Sequence, residues 1–189
     1  MIMHENISTS DKGVPLHSDQ SKVLLDSNEI QSGLSKLADQ LNNDYINDKP
    51  LMLCVVNGAI VFTGQLLPLL TFPMMLDYVH VTRYKNNLAG KLEWKQYPSK
   101  VIKDRNIVIL DDVLDSGITI TAIKNWCLGQ GAKKVETVVL LEKEIPREPS
   151  VIQNANYAAF KIGKEYVYGF GLDNDEYWRN TKDIHVFGA

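Results

Sequence analysis

The sequence has 189 residues, which is enough for one domain with a sizeable core and too few to suggest two full domains. Its composition, with 44% hydrophobic and 23% charged residues, is ordinary for a globular protein. The net charge of −3 argues against a nucleic-acid partner, because nucleic-acid-binding proteins normally present a basic face.

Three further features favour a cytoplasmic protein. Cys54 and Cys127 lie in separate apolar segments, which is typical of buried free thiols in a reducing compartment. The first residues show no basic stretch followed by an apolar one, so we expect no signal peptide. The apolar runs fall well short of the roughly 20 residues of a membrane span, so we expect no contact with a membrane.

The amino-terminal region divides into an arm and a helix. Residues 1–20 are polar and without periodicity, which predicts a loose arm before a single domain over 21–189. Asp26 and Glu29 have the spacing of a capping box, with Ser27 as the alternative N-cap. The apolar residues then recur at steps of three and four, which predicts an amphipathic helix through Ile30, Leu34, Leu37, Leu41 and Tyr45.

Short, continuously apolar runs predict strands that are buried on both faces. Such runs, or mainly apolar segments, occur at residues 51–56, 74–81, 107–110 and 135–141, and shorter strands are expected near 157–160, 166–170 and 185–187. Helices are expected after the first and third runs, the second of them with an apolar face at Ile120, Ile123, Cys127 and Leu128. Strands that alternate with helices predict an α/β fold with a mainly parallel central sheet flanked by helices.

Residues 83–100 form a polar segment without a clear period. A segment of this length without regular structure is usually a functional loop. We therefore predict a mobile loop over 83–100, with a disordered surface excursion as the alternative.

The segment of residues 106–121, NIVILDDVLDSGITIT, carries the strongest functional signal. Gly117 allows a tight turn into a helix, where the amides of residues 116–119 and the hydroxyls of Ser116 and Thr119 can bind a phosphate. This combination predicts a phosphate site at the end of a strand, where parallel sheets bind their ligands.

Three acids surround this turn. Asp111 and Asp112 precede it and can accept hydrogen bonds from sugar hydroxyls or hold a magnesium ion through water. Helix capping by Asp115 or Ser116 would account for one of these polar residues, but not for three carboxylates within five positions. The acids therefore predict a ligand with hydroxyl groups or positive charge.

Other nucleotide-binding and catalytic motifs do not fit. The segment from Gly58 to Gly64 has the wrong spacing for a phosphate-binding P-loop and is followed by Gln65 rather than lysine. The segments GFGLDN and GQGAKK do not complete the G-x-G-x-x-G pattern of dinucleotide-binding folds. A P-loop hydrolase and a dinucleotide-dependent enzyme are thus disfavoured.

The segment ILDDVLDSGIT closely resembles the phosphoribosyl-pyrophosphate motif of type I phosphoribosyltransferases. VVNGAIVF is similar to the pyrophosphate-binding loop of that family. LLEKEIPR and YVYGFGLDNDEYWR resemble the purine-binding segments of its hypoxanthine-guanine branch, and the four segments span residues from about 50 to 180. The resemblance implies the type I fold, with a small hood of N- and C-terminal segments and its C-terminal part at about residues 160–189.

For phosphoribosyl pyrophosphate, the resemblance implies a site built from two strand ends and the hood. Asp115 would also lie near N7 of the purine and is the candidate general base. The residues implied to bind phosphoribosyl pyrophosphate are Asn57, Gly58, Asp111, Asp112, Asp115, Ser116, Gly117, Ile118, Thr119 and Arg179.

For the purine, the resemblance implies that Lys143 donates to the 6-oxo group, Tyr166 stacks on the base and the backbone of Val167 reads its edge. An adenine would instead present an amino donor to the lysine, which is unfavourable in a buried site. Magnesium is the implied cofactor, bound at Asp173 in the purine site and, through water, at Asp111 and Asp112.

The chain departs from the family pattern at two places. Relatives often carry a basic residue where this chain has Asn57, and the mobile loop often opens with Ser-Tyr where this chain has Arg83 and Tyr84. Closure of the 83–100 loop and a role for Tyr84 in it remain expectations.

The expected activity is purine salvage, in which a phosphoribosyl group is transferred from phosphoribosyl pyrophosphate to hypoxanthine or guanine. The alternatives are a xanthine-preferring enzyme and a non-catalytic nucleotide-sensing regulator with the same fold. The acidic composition and the presence of Asp115 disfavour the regulator. The family also implies a homodimer or homotetramer.

Overall fold

The structure is a computed structural model that describes residues 21–83 and 92–187. The predictions for the arm at 1–20 and for Tyr84 lie outside these ranges. Within them the chain forms, in order, β1 (Ser21–Leu25), α1 (Ser27–Asp44), β2 (Leu51–Val56), α2 (Ala59–Leu66), β3 (Met75–Arg83), β4 (Leu92–Gln96), β5 (Asn106–Leu114), α3 (Ile118–Gly129), β6 (Lys134–Lys143), β7 (Tyr157–Ile162), β8 (Val167–Tyr168) and β9 (Ile184–Phe187).

The larger sheet has the strand order β4-β3-β2-β5-β6-β7. Strand β4 runs antiparallel to β3, and the other neighbouring strands are parallel. Helices α1 and α2 pack on one face of this sheet and α3 packs on the other, so that each face has its own apolar core. The predicted mainly parallel sheet flanked by helices is confirmed.

A smaller antiparallel sheet, in the order β1-β9-β8, joins the N-terminal strand to the C-terminal segment. It is the predicted hood of N- and C-terminal segments. Strand β1 itself was not predicted, because its apolar run is only three residues long and it is stabilised by pairing with a strand more than 150 positions away. Within the described ranges, no helix combines the length and apolar character needed to cross a membrane.

The start of α1 confirms the predicted capping box. The Asp26 carboxylate accepts hydrogen bonds from the backbone of Asn28 and Glu29 at 2.8 and 2.9 Å, and the Glu29 carboxylate accepts one from the Asp26 backbone at 2.8 Å. All five predicted apolar positions of the helix are buried, from Ile30 to Tyr45. The helix therefore covers the sheet with the face that its periodicity predicts.

Two element boundaries and the burial of one residue differ from the sequence predictions. Residues 92–96 form β4 instead of loop, because Leu92 and Trp94 pack on the core and Trp94 stacks on Tyr97 at a ring distance of 4.7 Å. Strand β5 continues beyond 110, so that Asp111 and Asp112 lie within it. Leu128 is exposed, since only the face of α3 toward the sheet is covered.

Hydrogen bonds to the Asp77 carboxylate connect β3 to the segment that follows β4. Its Oδ2 accepts hydrogen bonds from the backbone of Ser99 and Lys100 at 2.7 and 2.8 Å, and its Oδ1 accepts one from the backbone of Tyr78 at 2.8 Å. Burial acts to raise the pKa of this carboxyl, but the hydrogen bonds outweigh burial and the pKa lies below its ordinary value.

We expect Asp77→Asn to lower the free energy of unfolding by about 1–3 kcal/mol at neutral pH, because an amide nitrogen then faces hydrogen-bond donors. A carboxyl with a lowered folded-state pKa stabilises the fold above its unfolded pKa and loses that contribution as the pH falls through the folded pKa. In urea unfolding, the difference from wild type should therefore shrink below about pH 4. A difference that stays constant into the acid range would contradict this role, and the exposed Asp39→Asn serves as the control.

Candidate active site

The carboxyl ends of β2 and β5 open on a cavity of about 650 Å³, as expected for an open parallel sheet. Residues of β3 and β4, the first turn of α3 and the hood form the rest of its wall. Nine of the ten residues predicted to bind phosphoribosyl pyrophosphate line this cavity, and Ile118 is the exception. The nine are Asn57, Gly58, Asp111, Asp112, Asp115, Ser116, Gly117, Thr119 and Arg179.

A second cavity of about 160 Å³ adjoins the first. It brings together all four residues predicted for the purine site, which are Lys143, Tyr166, Val167 and Asp173. Asp112, Asp115 and Asp173 line both cavities. A ligand with a phosphorylated part and a flat ring can therefore span the two spaces across these three carboxylates.

The turn before α3 has the geometry expected of a phosphate site. Gly117 is the N-cap of α3 with a φ of 77°, in the left-handed region that favours glycine. The Ser116 hydroxyl accepts a long hydrogen bond of 3.5 Å from the amide of Ile118, and no side chain caps the helix. The Asp115 side chain therefore does not cap α3. The N-terminal end of α3, which favours anions, lies at the cavity.

The other strand end is packed tightly against this region. The peptide bond between Val56 and Asn57 is cis. A methyl group on Gly58 would lie 1.9 Å from Oδ2 of Asp112, and glycine avoids this overlap because it has no side chain. Gly58 thus allows the loop after β2 to approach the acidic end of β5.

Asp111 and Asp112 form an acidic pair, in which Asp111 is buried and Asp112 is partly buried. The Asp111 carboxylate accepts a hydrogen bond from the Asp112 backbone at 3.0 Å, and the Asp112 carboxylate accepts one from the backbone of Val113 at 2.7 Å. Burial raises the pKa of Asp111 well above its ordinary value, with a further contribution from Asp112, and burial also raises the pKa of Asp112. Two adjacent carboxylates, one buried and one partly buried, favour a ligand that offers hydroxyl donors or a cation.

Lys143 and Asp115 meet at the smaller cavity. Nζ of Lys143 lies 3.6 Å from Oδ2 of Asp115, and the lysine side chain is 11% exposed while that of the aspartate is 48% exposed. The pair offers one strong donor and one strong acceptor side by side. On a 6-oxopurine, the 6-carbonyl acceptor and the N7 nitrogen are neighbours, so this arrangement matches that edge of the ring.

The hood residues are held by ion pairs and backbone contacts. Nη2 of Arg179 lies 2.9 Å from Oδ1 of Asp173, and its Nη1 donates to the carbonyl of Gly171 at 2.9 Å. The hydroxyl of Tyr166 donates to the carbonyl of Asp173 at 3.0 Å. Tyr166 is half exposed at the wall of the smaller cavity, and it is free to face a flat ligand there.

Sequence reasoning missed four polar residues of the larger cavity, which are His80, Thr82, Lys95 and Glu176. Lys95 lies on β4, in the segment predicted as loop, where alternation of Leu92 and Trp94 with charged residues was the available signal. Glu176 lies 3.7 Å from Arg179 at a spacing of three positions. Arg83 ends β3.

Among the described residues, no three His, Cys, Asp or Glu side chains gather into a group that would hold a metal ion alone. The carboxylate oxygens of Asp111, Asp112 and Asp173 are nevertheless the donors that magnesium prefers. Magnesium is usually held by one or two carboxylates together with waters and substrate phosphates. The site therefore fits magnesium that arrives with a phosphorylated ligand.

Comparison with known proteins decides the family. The family model of the phosphoribosyl transferase domain matches residues 20–173. A hypoxanthine-guanine phosphoribosyltransferase of Streptococcus pneumoniae is 31% identical over 173 residues, which cover 90% of this chain and 95% of that protein. The chain belongs to the hypoxanthine-guanine phosphoribosyltransferase family.

Other members of the family agree in sequence and in fold. The hypoxanthine-guanine phosphoribosyltransferase of Mycoplasma genitalium is 28% identical over 171 residues, covering 87% of this chain and 94% of that protein. The crystal structure of a hypoxanthine phosphoribosyltransferase from Staphylococcus aureus superposes with a TM-score of 0.82 and 26% identity, covering 92% of this chain and 96% of the other. The fold of this family member is thus the type I phosphoribosyltransferase fold.

Proposed function

We propose that the protein transfers the 5-phosphoribosyl group from phosphoribosyl pyrophosphate to N9 of hypoxanthine or guanine, giving IMP or GMP and pyrophosphate. The observation that carries this proposal is the pair of Lys143 and Asp115 at a small cavity that adjoins the phosphate-binding end of α3. The names of the relatives in S. pneumoniae and M. genitalium support the same reaction.

On the phosphate side, the turn from Asp115 to Thr119 would bind the 5′-phosphate through backbone amides and hydroxyls. Asp111 and Asp112 would accept hydrogen bonds from the ribose hydroxyls. Asn57, Gly58 and Arg179 would bind the pyrophosphate group, with Arg179 released in part from Asp173. Arg179 is suited to this task because its planar guanidinium can form two hydrogen bonds to one phosphate.

On the purine side, Lys143 would donate to the 6-oxo group while Tyr166 stacks on the ring and the backbone of Val167 contacts its edge. Lys143 is buried and holds its ammonium beside Asp115, so a 6-amino group in its place would leave a buried donor facing another donor. The pocket therefore favours oxo purines over adenine.

Catalysis would depend on placement and on charge. As the bond from the anomeric carbon to pyrophosphate breaks, the sugar becomes cationic, as in glycoside cleavage. Asp115 would take the proton from N7 while N9 attacks that carbon. The 5′-phosphate turn and the purine pocket hold the two reacting atoms in line, which makes the reaction effectively intramolecular.

Magnesium is the cofactor that the carboxylates of this site would hold, at Asp173 and, through water, at Asp111 and Asp112. When bound, it would offset the negative charge of the pyrophosphate group.

The protein is proposed to act as a homodimer or homotetramer. Leu76 and Tyr78 of β3 are 46% and 48% exposed, although they lie on the sheet face that α1 and α2 cover elsewhere, beside the buried Met52. A second copy of the chain would cover this apolar strip. The free, buried thiols of Cys54 and Cys127 suit the reducing conditions of the cytoplasm.

The proposal is tested by incubating the protein with magnesium, phosphoribosyl pyrophosphate and each of hypoxanthine, guanine, xanthine and adenine, and measuring the nucleotide formed. We expect product from hypoxanthine or guanine and little from adenine. Product from xanthine alone would indicate the xanthine-preferring alternative. Binding of phosphoribosyl pyrophosphate without product from any base would indicate the non-catalytic regulator.

Lys143→Met tests the specificity side separately, because methionine keeps the length of the side chain and removes its charge and its donors. A hydrogen bond to a charged group contributes about 2 kcal/mol, so kcat/KM for hypoxanthine should fall about 30-fold. The KM for phosphoribosyl pyrophosphate should change little, since Lys143 lines only the smaller of the two adjoining cavities. An unchanged preference for hypoxanthine over adenine would contradict the role of Lys143.

A further inference from the structure

Arg147 makes an unusual set of contacts beside the candidate active site. Its guanidinium donates to the carbonyl oxygens of Asp115 at 2.6 Å, Leu114 at 2.9 Å, Lys143 at 2.6 Å and Gln153 at 2.7 Å. Two of these carbonyls belong to the start of the phosphate-binding turn, and one belongs to the residue that would read the 6-oxo group. A single side chain therefore joins the backbones of both parts of the site.

The position of this side chain explains its contacts. Strands β5 and β6 pair as far as Leu114 and Glu142, and beyond this point their backbones separate. Carbonyls at the end of a ladder need donors, and buried backbone groups are seldom left without one. The guanidinium of Arg147 supplies those donors across the gap, where a fixed planar group can reach several acceptors at once.

The loop that follows Arg147 packs on the same turn. A methyl group on Gly117 would lie 3.0 Å from the carbonyl oxygen of Ile152 and 3.2 Å from Cγ2 of Val151. The backbone N–H of Ile152 donates to the hydroxyl of Thr121 in α3 at 2.9 Å. Since Arg147 also holds Gln153 at the end of this loop, the loop and the turn form one packed unit.

We propose that Arg147 is a positioning residue, which sets the placement of Asp115 and Lys143 relative to the phosphate-binding turn. The inference rests on the proposed function, because these are the groups that would meet N7, the 6-oxo group and the 5′-phosphate. The 3.6 Å separation of the Lys143 ammonium and the Asp115 carboxylate depends on backbones that the guanidinium holds together. Arg147 does not touch the substrate in this account and acts through the two residues that do.

The main test compares Arg147→Lys with Arg105→Lys. Arg105 is also partly buried, but it lies at the amino end of the sheet, where its guanidinium contacts Met75. Lysine keeps the charge but lacks the planar fork, so Arg147→Lys should lower kcat/KM for hypoxanthine by about tenfold to 10²-fold, with a lower kcat and a higher KM per folded molecule. Arg105→Lys should stay within about twofold of wild type.

Two further measurements separate positioning from a merely structural role. In the double variant with Lys143→Met, Arg147→Lys should lower kcat/KM by a smaller factor than it does alone, because part of its effect acts through Lys143. Arg147→Ala should regain activity when guanidinium ions are added, and Arg105→Ala should not respond. A lower Tm with unchanged kcat and KM per folded molecule would overturn the inference.

A crystal structure of Arg147→Lys tests the inference without any assay. We expect a change in the separation between the Lys143 ammonium and the Asp115 carboxylate, or in the position of the turn from Leu114 to Gly117. Unchanged positions of all these groups would overturn the role of Arg147, whether or not the wild-type protein makes nucleotide. Absence of nucleotide formation by the wild-type protein would instead overturn the proposed function.

Discussion

Asp115→Asn is expected to lower kcat for nucleotide formation by about 10²-fold or more, since general bases typically supply rate factors of this size. Asparagine has the same shape and can still contact N7, but it cannot take up a proton. The KM for phosphoribosyl pyrophosphate should stay within about threefold of wild type, because the amides of the turn remain in place. Steady-state kinetics with hypoxanthine measures both quantities.

The control for this experiment is an exposed aspartate outside the two cavities. Asp175 is exposed in the hood and does not line either of the adjoining cavities, so Asp175→Asn should leave kcat and KM unchanged. If Asp115→Asn keeps kcat within about threefold of wild type, Asp115 is a positioning group and not the base.

Gly58→Ala is expected to lower kcat/KM for phosphoribosyl pyrophosphate by about 10²-fold, which corresponds to about 3 kcal/mol of steric overlap. The new methyl group would lie 1.9 Å from Oδ2 of Asp112, so the carboxylate or the loop after β2 must move. Gly58 has helical backbone angles, with φ −57° and ψ −44°, so alanine is allowed there and only the lack of space is tested.

Gly64→Ala in α2 is the matched control. A methyl group at Gly64 meets no atom within 4 Å, and alanine in a helix stabilises the fold by about 0.5–1 kcal/mol. We therefore expect a slightly higher Tm and unchanged kinetics for Gly64→Ala. If Gly58→Ala behaves like this control, the approach of the Gly58 loop to Asp112 does not matter for binding.

The central strands could be predicted from the sequence because their signal is local. A continuous apolar run such as LMLCVV at 51–56 needs no partner to be recognised as a buried strand. Strand β1 and strand β4 were missed because each is stabilised by pairing with another segment, β9 and β3 respectively. Their own sequences are only five residues long, so that even the alternation of Leu92 and Trp94 with charged residues in β4 is a weak signal.

The features of the candidate site divide in the same way, into those that lie within one short segment and those that depend on contacts between distant positions. The glycine turn and the acids of β5 occupy one short segment, so their chemistry was visible in the sequence. The approach of Gly58 to Asp112 joins positions 54 residues apart, and the contacts of Arg147 with Leu114 and Asp115 span more than 30. Distances of this kind depend on packing and appear only in the folded chain.

The most direct test of the proposed function is the stoichiometry of the reaction with hypoxanthine. Wild-type protein, magnesium, phosphoribosyl pyrophosphate and hypoxanthine are incubated, and IMP and pyrophosphate are measured over time in the same samples. Transfer to N9 in the paired cavities predicts that IMP and pyrophosphate form in equal amounts and only when hypoxanthine is present. Pyrophosphate released with ribose 5-phosphate and without IMP would contradict it, as would the absence of both products.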